Sequence, residues 1–167
     1  MLMEISFIQR FVLFLGQPVL SMSVLLFSLL AGAGIGSLWS GRFPVDKIKK
    51  GITIASFSVA VLVLGYTFLL PIVFNQLLGL NLAFRLCATV FILIPLGFWA
   101  GFPFPLGIRL LKELGREKHI PWMWGLNGVS SVVGSTMTVI LAISLGFAAT
   151  GFVSACCYLI VYVMFRR

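Results

Sequence analysis

Polar residues in this chain fall into short clusters, and between the clusters the sequence is almost continuously apolar. Five such apolar stretches stand out, at 19–39, 52–73, 84–104, 123–145 and 148–165. The hydrocarbon core of a bilayer, about 30 Å thick, is crossed by about 20 helical residues, so each stretch is long enough to span or nearly so. Lipid offers no partner to a backbone amide, and a helix satisfies its own. The strict two-residue alternation of an outer-membrane barrel strand is absent. The pattern predicts an all-α integral membrane protein. It would form one helical membrane domain over 1–167, with about five transmembrane helices and a short N-terminal membrane or interfacial segment.

That segment, 5–16, is apolar but too short to cross, and it carries Gln9 and Arg10 just after Glu4. It ends in Gly16-Gln17-Pro18, which reads as a break before the first full helix. Two readings stand: an interfacial or re-entrant helix, or the tail of a span that begins before Met1. Polar residues in an apolar run usually face protein rather than lipid, which favours the second. The segment is no standard secretory signal, because Glu4 stands where a basic region belongs and no small-residue cleavage site follows.

Composition changes the picture only by exclusion. Of 167 residues, 60% are hydrophobic and 10% charged, and the mean hydropathy is +1.14; soluble domains run at about 45–50% and about 25%. A soluble enzyme, a nucleic-acid binder and a disordered chain are all disfavoured. The formal charge of +8 comes from twelve Lys and Arg against four Asp and Glu. These cations sit between the apolar runs: Arg42, Lys47, Lys49 and Lys50 in one connection, Arg109, Lys112, Arg116 and Lys118 in another, Arg166 and Arg167 at the end. The remaining connections carry only Arg85 or no charge. Basic and neutral connections thus alternate, as five crossings require, and loops 40–51 and 107–121 and the C-terminus are expected to be cytoplasmic. Anionic lipid headgroups are the natural electrostatic partner of those loops.

Small and polar residues within the spans are the remaining clues. Gly32 and Gly36 form one GxxxG face and Gly97 and Gly101 another, which lets helix backbones approach closely. The run GAGIGS (32–37) resembles a dinucleotide loop only in outline, since that motif must follow a strand. In the fourth span Asn127, Ser131, Gly134, Thr138 and Ala142 recur on one face, widened by Gly125, Gly128 and Ser135. Such a stripe either packs against a helix or lines a narrow cavity. Gln9, Arg10, Asn127, Ser131 and Thr138 are therefore candidates for an intramembrane polar site, and Gly32, Gly36, Gly97, Gly101, Gly128 and Gly134 for helix packing. Pro95, Pro103 and Pro105 interrupt the third span and are candidate helix breaks, the last two also suiting a helix terminus. Trp39, Trp122 and Trp124 read as interfacial belt residues. His119 reads as a solvated loop residue, and Cys87, Cys156 and Cys157 as small buried hydrophobes without a disulfide framework. No catalytic constellation, metal-ligand cluster or cofactor motif emerges.

Four runs carry a resemblance: EISFIQRFVLFLGQP (4–18), GAGIGS (32–37), PLGFWAGFPFPLGIRLL (95–111) and PWMWGLNGVSSVVGS (121–135). In this order they resemble the membrane portion of bacterial multi-spanning spermidine synthase-like proteins. The resemblance implies residence in a bacterial inner membrane. In that family the helices accompany a soluble domain similar to aminopropyltransferases, which use decarboxylated S-adenosylmethionine. No stretch here reads as that domain, and no residue matches its catalytic carboxylates. Where the family often has histidine in its FLGHP run, this sequence has Gln17. Polyamine handling is also a poor electrostatic match for a chain with four acids and a charge of +8.

Three functions remain in view. The first is a non-catalytic membrane module, a subunit or anchor that packs with partner membrane proteins, with copies of itself, or with a separately encoded spermidine synthase-like domain. The second is a transporter-like or half-transporter unit, with its path between the third and fourth spans. The third is the membrane part of a split aminopropyltransferase.

Overall fold

In a computed structural model that describes residues 2–166, the chain is all-helical, and no strand occurs among the described residues. The helices are α1 (Leu2–Leu15), α2 (Pro18–Ser40), α3 (Ile48–Leu77), α4 (Leu82–Ala100), α5 (Pro103–Glu113), α6 (Ile120–Leu145) and α7 (Phe147–Arg166). Short 3-10 turns at Val45–Lys47 and Glu117–His119 lead into α3 and α6. Five helical stretches are long and apolar enough to cross a membrane, α4 and α5 counting as one of them. The chain is an all-α, multi-pass membrane protein.

Helix ends differ from the apolar windows for physical reasons. α3 runs four residues beyond the 52–73 window at each end, because the helical hydrogen-bond ladder continues into polar flanks such as Lys49 and Gln76. The stretch at 84–104 is not one continuous helix. α4 ends at Ala100, Gly101 and Phe102 make a tight turn, and Pro103 restarts the chain as the first residue of α5. Pro103 and Pro105 have no N–H to give to Trp99 and Gly101, so the ladder cannot pass through. Pro95 behaves otherwise: it lies inside α4, which continues to Ala100, so it does not end the helix.

The closest helix pair is α2 with α4, and its cause is glycine. A Cβ at Gly32 would lie 2.5 Å from the Ile94 carbonyl oxygen, and one at Gly97 2.5 Å from that of Leu29. Gly36 and Gly101 likewise press against the backbones of Phe98 and Ala33. The two GxxxG faces therefore meet each other. Leu29 pairs with Gly97 and Ala33 with Gly101, so the helices run parallel, as first and third crossings must. α3 and α7 run antiparallel, with Thr67 against Gly151 and Phe57 against Tyr162. Gly128, in contrast, has open space where a side chain would go. No described residue packs against it, and Gly128 itself is exposed.

The N-terminal segment packs against the bundle. α1 has 14 residues, about 21 Å at ~1.5 Å per residue, too short to cross. Yet Phe7, Phe11, Phe14 and Leu15 are buried in the main core with Leu25, Val59 and Leu93. Phe14 stacks on Phe74 at 4.2 Å and Phe11 meets the same ring edge-on. Aromatic residues three and four apart put one face of α1 inside the bundle. Gly16, at φ 76°, then turns the chain into α2, a left-handed conformation that residues with a Cβ adopt at a cost. The three cysteines are exposed rather than buried.

Gly36→Ala should lower unfolding stability by about 1–3 kcal/mol through overpacking, whereas Gly34→Ala, with nothing near its Cβ, should change it by less than about 0.5 kcal/mol. Thermal unfolding in detergent measures both, and equal effects would contradict the backbone contact.

Candidate functional site

A partly open cavity of about 620 Å³ lies among α1, α2, α4, α6 and α7. Its walls come from the first turn of α1, the middle of α2 around Leu29, the α4 end at Gly97 and Ala100, and the middle of α7. It therefore sits near mid-depth of the helices. The fifth wall is α6, which contributes Asn127, Ser130, Ser131 and Gly134. Three- and four-residue steps place these on one helix face, so the α6 stripe lines space rather than packing on a helix. The Ser131 hydroxyl donates to the Asn127 backbone carbonyl at 2.8 Å.

The polar residues singled out within the spans do not form one site. Gln9 is exposed on the outer side of α1. Arg10 donates to the Thr67 carbonyl at 2.9 Å. That carbonyl sits four residues before Pro71, which has no N–H to offer it. Arg10 thus repairs a proline gap in α3. Thr138 is buried and its hydroxyl donates to the Gly134 carbonyl at 2.7 Å, within its own helix. Only Asn127 and Ser131 of the five reach the cavity. Pro103 and Pro105 shape the α4–α5 turn and do not line it.

Sequence reasoning missed the opposite wall. Glu4 comes from the first turn of α1, and Ser154, Cys157 and Tyr158 come from α7. Thr150, Ser154 and Tyr158 are spaced by four, the same signal that marked α6, but the short run of apolar residues around them hid it. Glu4 is the acid that belongs to an apolar segment, since Asp46, Glu113 and Glu117 lie in or beside the basic loops. An ionisable residue at membrane depth is itself a pointer to a site. Among the described residues no Lys or Arg lines the cavity. α1 is fixed there by Ser6, whose hydroxyl shares a 2.6 Å hydrogen bond with Thr150 and donates to the Phe147 carbonyl.

At the end of the bundle that carries the basic loops, Arg109 donates to the carbonyls of Ser40 and Phe43 at 2.7 and 2.8 Å. This ties loop 107–121 to loop 40–51, so both lie on one side. The Arg42 guanidinium lies 4.8 Å from the centre of the Trp39 ring, and Trp124 meets Phe104 edge-on. His119 is exposed in this region, near the Arg116 carbonyl. Among the described residues no three His, Cys, Asp or Glu side chains converge. Comparison of the chain with family models, curated proteins and solved structures returned no match.

Asn127→Leu should shift unfolding by no more than about 0.5 kcal/mol, because the amide is exposed on the cavity wall. Ser6→Ala should cost about 1 kcal/mol by orphaning a buried bond to Thr150. Denaturation of the two variants side by side checks this, and a larger loss for Asn127→Leu would make it packing glue.

Proposed function

We propose that the protein is a non-catalytic helical membrane module, a subunit or anchor that associates with partner membrane proteins. A separately encoded spermidine synthase-like domain is one partner that the sequence resemblance suggests. The module resides in a bacterial inner membrane, with loops 40–51 and 107–121 and the C-terminus in the cytoplasm. The observation that carries this reading is α6. Only 6% of its most apolar 18-residue window is buried, against 22–33% in the other spans. Gly125 and Gly128 on that helix meet nothing within 4 Å. Helix association in lipid relies on close packing rather than on hydrophobic expulsion, so open small-residue positions are where another helix approaches. The basic loops add attraction to anionic headgroups, worth about 1 kcal/mol per cation near the surface.

A transporter-like unit is the second reading, favoured by the mid-depth cavity beside a short helix and an interrupted one. Purification in mild detergent with native mass measurement separates the two. The module reading expects a stoichiometric partner, whose yield falls in Gly128→Leu while the unfolding temperature holds. A lone chain that carries flux in liposomes would establish the second reading instead. Cysteines placed at Lys49 and Lys112 should react with impermeant reagents from the cytoplasm only, and labelling from outside would invert the orientation.

A further inference from the structure

Ser154 lies in the wall of the 620 Å³ cavity and is only 3% exposed, yet its hydroxyl has no hydrogen-bond partner among the described residues. Other buried serines differ. Ser6, Ser21, Ser28 and Ser40 each donate to a backbone carbonyl. Ser56 is also without a partner, but its oxygen is sealed from any open space. The Ser154 oxygen is not sealed, and the space beside it is the cavity. Tyr158, one turn further along α7, is half-buried in the same wall, and its hydroxyl likewise meets no partner among the described residues. Residues four apart on a helix stand about 5–6 Å apart at Cβ, so the two hydroxyls can serve one small head. Glu4, which shares the lining, has an interaction of its own, and the hydroxyl pair does not depend on it. Across the cavity α2 presents an apolar wall of Leu26, Leu29 and Leu30. The volume lies within the range of about 300–1,000 Å³ that holds small organic ligands.

We propose that this cavity binds an uncharged single-chain amphiphile with a diol head, of the monoglyceride class, the head meeting Ser154 and Tyr158 and the tail lying along α2. The site goes beyond both functional readings, because binding requires neither a partner protein nor flux. A hydroxyl both donates and accepts, so a diol can satisfy two protein hydroxyls at once. An unsatisfied hydroxyl away from water is costly, and Ser154, the more buried of the two, gains most from an occupant. A carboxylate head is disfavoured, since no Lys or Arg among the described lining residues would meet its charge.

Hexadecyl glyceryl ether with a diazirine on its tail is a direct probe. Irradiated with the protein in lipid nanodiscs, it should label one site per chain saturably, and peptide mapping should place the adduct on the cavity wall. Unlabelled ether should compete, whereas its dimethylated form, which has lost both donors, and palmitate should each compete at least about tenfold more weakly. Ser154→Ala combined with Tyr158→Phe should weaken binding at least about tenfold. Ser154→Ala alone should leave the unfolding temperature equal or higher, because it removes an unsatisfied hydroxyl. Ser131→Leu, which fills the cavity from the sparsely packed α6, should also abolish saturable labelling, and it keeps the test decisive if the double variant folds poorly. Labelling spread over the lipid-facing surface, equal competition by the dimethylated ether or palmitate, or full binding by a folded double variant or by Ser131→Leu would each overturn the proposal. So would a lower unfolding temperature in Ser154→Ala, which would show that the hydroxyl already has a partner within the protein.

Discussion

A backbone carbonyl without a partner is expensive in lipid, where water cannot fill the gap. Helices that end, turn or contain proline all free such carbonyls, and this bundle meets them with side chains from neighbouring helices. Arg10 reaches the Thr67 carbonyl left open by Pro71. Arg85 reaches that of Phe14 in the last turn of α1, at 2.8 Å. Arg109 takes two carbonyls where α2 ends. The Tyr66 hydroxyl donates to the Ile92 carbonyl at 2.6 Å and ties α3 to α4, although the carbonyl that Pro95 frees is that of Phe91, four residues before it. Arginine suits the task because its planar fork offers several donors and is less strongly hydrated than an ammonium.

These bonds decide where α1 goes, and α1 decides the rest. Held by Arg10, by Arg85 and by the Ser6 bonds to α7, the short helix occupies part of the space between the α2–α4 pair and α6. Glycine contact fixes the α2–α4 pair itself, since backbones that touch leave no room for sliding. The space that α1 leaves open is the cavity, and Glu4 in its first turn lines it.

Much of this was legible in the sequence. Apolar windows located the five crossings, because hydropathy is a property of each segment alone. Gly32, Gly36, Gly97 and Gly101 were legible as packing residues, since GxxxG spacing means close approach in any partner context. What the sequence could not supply was which faces meet. The α6 stripe allowed either a helix or a cavity beside it, and only the path of α1 settles that. Arg10 looked like a site residue because its task, Pro71, lies far away in the chain. Glu4 and Tyr158 come together from opposite ends of the sequence, and no periodicity links them. The cysteines fell within apolar runs, which fixes their depth in the membrane but not whether they face protein or lipid.

The Arg10–Pro71 compensation can be tested by a double-mutant cycle in thermal or denaturant unfolding. Arg10→Met in the native background removes a charged donor from an otherwise empty carbonyl and should cost about 1.5–3 kcal/mol. Pro71→Leu returns an N–H to α3 at an exposed position, so the same Arg10→Met change should then cost less than half as much. An equal cost in both backgrounds would mean that Arg10 does something other than satisfy the Thr67 carbonyl, and the account of how α1 is held would fail.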